Sequence, residues 1–338
     1  MSKRAFWGAI QPMPAAELAG LAKMQEDMGL MGVFAPQVYG PPWVALAAAA
    51  VSTNRMLLAS GIALAFTRSP FETAMAAMDL DRLSNGRFVL GLGPSVQAWS
   101  EGYFGMPYGK PVEHIRETIG AIRHIVANSH TGNMSDFEGK YHTLRFEGFQ
   151  PLGAPLRPEI PIWIAATRGK LVQLAGEICD GVMGHPIWSV NWARERIATD
   201  LKIGLERGGR QRSDIHVNLW FWVTPNENRQ QSIDDARGTV AFYAGIEQYE
   251  PYFAAHGFGK QAQAIQAVMH HGSFMDAGRL VSDEMAQTFV VTGTPDEVRA
   301  RLEPAWDAAD SMTLAPPLSA PPERVAQYMA TVAQLFYR

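Results

Sequence analysis

Short apolar runs alternate with longer amphipathic stretches along almost the whole chain. Residues 6–10, 33–35, 57–64, 88–92, 160–166, 181–184, 216–223 and 311–315 read as eight strands. The run 57–64 is apolar almost throughout, the pattern of a parallel strand covered on both faces. Residues 14–28, 43–51, 70–83, 113–126, 170–178 and 192–207 read as the helices between them. In the third of these, Phe71, Ala74, Met75 and Met78 fall on one helical face, and Ser84-Asn85-Gly86 ends it. Thr294 and Glu297 predict a capping box around Pro295, with Val298, Leu302, Ala305 and Trp306 as the apolar stripe behind it. Pro321 and Pro322 open a last helix whose stripe reads Val325, Met329, Val332, Phe336. Two stretches break the rhythm. Residues 133–158 are polar, aromatic and spaced by Pro and Gly, which predicts a hairpin or loop insertion; residues 226–292 form a long helical excursion. The expected fold is one (β/α)8 TIM barrel over residues 1–338, with insertions after strand four and between strands seven and eight. A doubly wound, two-domain sheet is the alternative.

Composition narrows the function classes. A chain of 338 residues with 47% hydrophobic and 18% charged residues has material for a large core. A formal charge of -4 offers no basic face for a nucleic acid. Cys179 is the single cysteine, so an internal disulfide and a cysteine metal site are both excluded, which fits a cytoplasmic location. Residues 44–51 are the longest greasy run, too short to span a bilayer. Gln11, Pro12, Pro14 and Glu17 break any signal core after Met-Ser-Lys-Arg. None of the nine histidines has a zinc spacing, and His270 and His271, being adjacent, point apart on a helix; no metal is expected.

Barrel chemistry sits where strands run into helices. Gly91-Leu92-Gly93-Pro94-Ser95 follows a strand: glycines there either admit a ligand to the backbone or answer to barrel packing. Ala165-Ala166-Thr167-Arg168-Gly169-Lys170 enters a helix, whose first turn attracts phosphate, or else Thr167 caps it. Arg68 is placed to meet a phosphate or carboxylate, or to pair with a neighbouring acid. His185 lies just past a strand end, as a proton donor, a substrate-positioning group or a satisfied structural histidine, and Trp43, Trp99 and Trp188 occupy junctions where aromatics either wall a flat ring or pack long loops.

The string Leu83-Ser84-Asn85-Gly86-Arg87-Phe88-Val89-Leu90-Gly91-Leu92-Gly93 resembles the LSxGRfxLGLG signature of the luciferase-like monooxygenase superfamily. Residues 61–70, Phe104-Gly105-Met106-Pro107, 160–166 and Thr292-Gly293-Thr294-Pro295-Asp296-Glu297-Val298 are similar to further elements of it, so the likeness spans roughly residues 5–318. The pattern is most similar to the bacterial branch that uses coenzyme F-420, a deazaflavin. That resemblance implies a cofactor site at the carboxyl face built from Gly61, Ile62, Gly91, Gly93, Ser95, Ala166, Thr167, Arg168, Gly169 and Gly184. It also implies a cis peptide at Gly61–Ile62 behind the ring, a phosphate near Ser95 and the 167–170 turn, and a homodimer. Where sugar-phosphate dehydrogenases of the branch carry an Asp-His pair, this chain has Pro36-Gln37, and Gln97 lies near their second acid. Gln37, Gln97 and His185 are therefore the catalytic candidates, with Gln11 beside them, and His185 is the one expected to titrate near neutrality. The expected function is hydride transfer between F-420 and a small organic substrate. The alternatives are an FMN-dependent monooxygenase, a flavin-binding protein without turnover, and an aldolase-like barrel, for which the strands supply no lysine.

Overall fold

The structure is a computed structural model that describes residues 4–269 and 274–337. His270 and His271 lie outside the described residues. The strands, in chain order, are β1 (Ala5–Ala9), β2 (Gly32–Ala35), β3 (Leu57–Ser60), β4 (Ala63–Leu64), β5 (Phe88–Gly93) and β6 (Phe137–Glu138). They continue with β7 (Thr143–Leu144), β8 (Ile162–Ala166), β9 (Gly181–Gly184), β10 (His216–Pro225), β11 (Val291–Gly293) and β12 (Ser311–Ala315). With the helices between them they make a (β/α)8 TIM barrel around a closed 8-strand parallel sheet. The chain divides into two compact units, residues 7–183 with 199–217, and residues 1–6 with 184–198 and 218–338.

In the first unit β1, β2, β3, β5 and β8 pair in succession, all parallel. Their inward side chains make the core: Trp7 stacks on Phe34 at 4.4 Å, and Ala59, Val89, Trp163 and Met183 close around them. The rings have room because glycines face them. A Cβ on Gly32 would lie 2.3 Å from the Trp7 ring, one on Gly61 2.6 Å from Phe34, and one on Gly181 2.4 Å from Trp163. The signature segment also has a structural reason. Asn85 and Gly86 turn the chain with φ of 53° and 78°. Arg87 then donates to the carbonyls of Ala50 and Thr53, at the open end of the helix Trp43–Ser52, and to that of Met56, just before β3. Glu26, buried on the helix Ala15–Asp27, accepts the N–H groups of Asn54, Arg55 and Met56 at 2.7–3.1 Å and so fixes the entry to β3. The expected insertion is a hairpin, β6 antiparallel to β7, anchored by Glu117, whose carboxylate accepts three N–H groups from Lys140, Tyr141 and His142.

In the second unit β10 pairs in parallel with both β11 and β12. The capping box at Thr294 and Glu297 forms as expected. The excursion contains helices Arg229–Ala244, Glu250–Ala255, Gly259–Met269, Phe274–Ala277 and Asp283–Phe289. Three expectations are corrected. The run 57–64 is two strands, because the backbone turns aside at Gly61–Ile62. The short β11 was not foreseen. The last helix, Pro322–Phe336, buries Tyr328 and Val332 and leaves Met329 38% exposed, since the Tyr328 hydroxyl reaches Asp235 at 2.7 Å.

Candidate active site

The segment between β3 and β4 is held from both neighbours. The peptide Gly61–Ile62 is cis, at the bond the resemblance indicates. Gly61 N–H donates to the Ala35 carbonyl at 2.9 Å, and the Ile62 carbonyl accepts from Gln37 N–H at 3.0 Å. On the other side the Ser60 hydroxyl donates to Gly91 O at 2.8 Å and accepts from Gly91 N–H at 2.9 Å. A Cβ on Gly91 would lie 1.9 Å from the Ser60 carbonyl oxygen, and one on Gly93 2.1 Å from Ile62 Cδ1. Packing alone already requires glycine here, since the two positions are sockets for Ser60 and Ile62.

Gln37 stands against the same segment, 6% exposed. Its Oε1 accepts from Leu64 N–H and from Arg68 Nη2, both at 3.0 Å. Arg68 leaves only 9% of its side chain exposed, lies 5.4 Å from the centroid of the Trp43 ring and meets Glu72 at 3.8 Å through Nε. Burial holds the guanidinium below its usual range, opposed by Glu72. Three buried N–H groups of this cluster, on Gln37 Nε2, Trp43 Nε1 and Arg68 Nη1, find no acceptor among the described residues.

After β5 the chain turns at Ser95, whose φ is 61° and whose carbonyl accepts from the Tyr108 hydroxyl at 3.0 Å. Gln97 opens the helix Gln97–Gly102, exposed, with Nε2 donating to the Glu101 carboxylate at 3.0 Å. Beyond it Trp99 lies 6.2 Å from Tyr39 and 6.0 Å from Tyr103, an aromatic group whose two tyrosines are about two-thirds exposed, at 66% and 65%. After β8, Ala166 is buried, Thr167 and Gly169 are half-buried and Arg168 is exposed. Arg168, not Thr167, is the cap residue of the helix Gly169–Ile178, and no side chain caps it. The Asp200 carboxylate lies against Gly169, where a Cβ would meet it at 2.4 Å.

In the second unit Gly184 ends β9 with Leu219 and Trp188 3.0 and 3.1 Å from where its Cβ would be. His185 follows. Its Nδ1 accepts from Ile187 N–H at 3.3 Å and its Nε2 lies 3.1 Å from the Tyr249 hydroxyl. An accepting Nδ1 leaves the proton on Nε2, which donates to Tyr249. The Tyr243 ring packs edge-on at 5.2 Å. Burial pushes the imidazole down to about 3, so it is neutral at pH 7 and not the near-neutral acid expected. Trp188 is buried at 2% exposure and serves as core. Cys179 is buried too, its thiol pushed up to about 12, which makes it inert.

Sequence reasoning missed Tyr243 and Tyr249 around His185 and the linkage of Gln37 to Trp43 and Arg68. The partners lie 58, 64 and 31 positions apart for 185–243, 185–249 and 37–68, so no local pattern announces them. Among the described residues no group of His, Cys, Asp or Glu is arranged to hold a metal. A cavity of about 280 Å³ lies elsewhere, at the amino end of β8 beside Ile160, Ile162 and Ile122.

A Mycobacterium tuberculosis protein, named provisionally as a coenzyme F-420-dependent oxidoreductase, is 30% identical over 322 residues, 90% of each chain. The F-420-dependent tetrahydromethanopterin reductase of Methanopyrus kandleri superposes over 98% of both chains with a TM-score of 0.81 and 24% identity. A Baeyer-Villiger monooxygenase from Pseudomonas putida, in complex with FMN, superposes over 99% of this chain and 98% of its own, with a TM-score of 0.67 and 15% identity. The pattern that defines luciferase-like monooxygenases matches residues 3–311, and the chain belongs to that family.

Proposed function

We propose that this protein is a coenzyme F-420-dependent oxidoreductase that transfers a hydride between the deazaflavin and an unsaturated or carbonyl-type small molecule. The observation that carries the reading is the 30% identity, over 90% of each chain, to a relative named for F-420; the Gly61–Ile62 segment clamped between Gln37 and the Gly91–Gly93 sockets supports it. The residues fit such a group. Ile62 and Gly61 present a fixed backbone to stand behind a flat ring. The turn at Ser95 and the uncapped first turn at Thr167, Arg168 and Gly169 offer amides to a phosphate. Ala166, Gly91 and Gly93 shape the wall, and Gly184 closes a strand end of the same kind. When bound, the deazaflavin supplies a hydride-carrying carbon.

The chain's own residues position and shield. Gln37 fixes the 61–64 backbone through N–H and Oε1 while directing Nε2 elsewhere. Neutral His185 donates a hydrogen bond and holds Tyr249, so it orients rather than protonates. Gln97, bound to Glu101, tests as a surface residue unless its variant alters turnover. Holding the reactants in plane supplies much of the acceleration.

The FMN-bound Pseudomonas enzyme on the same fold favours a second reading, an FMN-dependent monooxygenase. Fluorescence titration of the purified protein with F-420 and separately with FMN separates the two. Micromolar binding of F-420 with little FMN binding is expected; the reverse moves the protein to oxygen chemistry. Tight binding with no turnover across carbonyl and alkene substrates indicates a flavin-binding protein. The same proposal includes a homodimer, read by light scattering, and a cytoplasmic location. No helix among the described residues is long and apolar enough to cross a membrane.

A further inference from the structure

We propose that Gln37, Trp43 and Arg68 form an oxyanion subsite that takes a carboxylate carried by the organic substrate. The proposal rests on the reading that the protein acts on a small organic molecule and names one group of it. The three side chains are one contiguous cluster: Arg68 Nη2 donates to Gln37 Oε1 at 3.0 Å, and the guanidinium carbon stands 5.4 Å from the centroid of the Trp43 ring. Gln37 is 6% exposed and the Arg68 side chain 9%. Gln37 Nε2, Trp43 Nε1 and Arg68 Nη1 are buried, and none has a partner among the described residues.

All three orphaned atoms are donors. Folded proteins pair nearly every buried N–H, so three in one cluster call for a common acceptor. The acceptor the protein supplies, Gln37 Oε1, is already used by Leu64 N–H and Arg68 Nη2. Charge selects among acceptors. The acid facing the cluster, Glu72, meets Arg68 only through Nε, at 3.8 Å, and is 60% exposed, so the Nη1 edge of a permanent cation is uncompensated. A neutral carbonyl brings one oxygen and no charge. A carboxylate brings two oxygens, four acceptor positions and the missing charge, in a plane that matches the guanidinium fork. The cluster sits on the residues that clamp Gly61–Ile62, after β2 and β4, among the strand ends where barrel substrates bind. The phosphate of the cofactor has its own proposed place at Ser95 and Thr167–Gly169.

The test uses the full-length protein without cofactor and follows thermal melting with benzoate, benzamide and inorganic phosphate. Benzoate is expected to raise the melting temperature saturably and benzamide to leave it unchanged. Arg68→Met is expected to weaken benzoate binding about tenfold or more, and Arg68→Lys to recover only part, lacking the planar fork. Should Arg68→Met fail to fold, Gln37→Glu decides: it brings a carboxylate into the cluster from within, so the variant should melt above the wild type and lose its response to benzoate. An equal response to benzamide, or none to benzoate, overturns the proposal and leaves the cluster a scaffold. A response to phosphate but not to benzoate also overturns it, and assigns the site to the cofactor's phosphate. Because no cofactor is present, either failure leaves the F-420 reading standing; that reading falls only on its own titration.

Discussion

Gly93→Ala isolates the contact between the end of β5 and the segment before β4. The added Cβ would lie 2.1 Å from Ile62 Cδ1, while ordinary contact begins near 3.4 Å, so the methyl must retreat by 3.4 − 2.1 = 1.3 Å. The obstacle is the far end of a side chain, and the next neighbour, Ala165 Cβ at 3.5 Å, is in ordinary contact. Overpacking of this kind costs about 1–3 kcal/mol. With roughly 2.1 cal/mol/K of unfolding entropy per residue, a chain of 338 residues has about 0.7 kcal/mol/K, so the melting temperature should drop by about 1.5–4 °C. The cause is tested by a double-mutant cycle with Ile62→Ala, which removes Cγ1 and Cδ1 and with them the collision. Gly93→Ala should then cost almost nothing beyond its single partner, a coupling of about 1–2 kcal/mol by urea unfolding. If Gly93→Ala costs the same in both backgrounds, Ile62 is not what its Cβ meets and the socket reasoning fails. The single variant should also weaken F-420 binding, because its displaced Ile62 methyl belongs to the surface proposed to back the ring.

Gly91→Ala is a harsher change two residues away, since its Cβ would meet the Ser60 backbone carbonyl at 1.9 Å; it should yield no folded protein on circular dichroism, and a folded variant would refute the fit. The depressed pKa of His185 makes acid destabilising: the unfolded ring binds a proton below about pH 6.5 and the folded ring only near 3, so stability falls as pH drops through that window. His185→Gln should flatten the fall between pH 7 and pH 4.5 in urea unfolding; an unchanged slope places its cause elsewhere. Glu26 is held at about 2 by three backbone N–H groups against the cost of its burial, so its contribution is present above about pH 4.5 and lost as pH approaches 2. Glu26→Ala at pH 7 should destabilise by about 1–3 kcal/mol on urea unfolding, and a loss below about 0.5 kcal/mol would show that water replaces the carboxylate.

The barrel was legible because its evidence is periodic. Helix Pro70–Leu83 and strands Gly181–Gly184 and Ser311–Ala315 begin and end where their patterns begin and end. What was not legible depended on distant contacts. The run 57–64 looks continuous because Gly61 and Ile62 fit an apolar strand; its break depends on Phe34, Gln37 and Gly91, outside that window. β11 spans three residues, Val291–Gly293, too short to carry a period. At the site, the signature marked the glycines of β5 but not what they face: Ser60 and Ile62, for which Gly91 and Gly93 make room, lie 31 positions earlier. Gln37 was chosen for its place after β2, whereas its meaning comes from Arg68 and Trp43. His185 was judged by the usual imidazole value, which enclosure by Tyr243 and Tyr249 displaces.

The three ring-and-glycine pairs in the first unit, Trp7 with Gly32, Phe34 with Gly61 and Trp163 with Gly181, bear on how this sequence can drift over time. A larger residue at any of the glycines collides with a ring already in place, and a smaller residue at any ring opens a void in a closed interior. Neither change is tolerable first, so ordinary single-step descent is blocked at six positions at once. Related chains should keep each pair intact or exchange both members together, and a designer who wants a wider barrel must rewrite the positions two at a time.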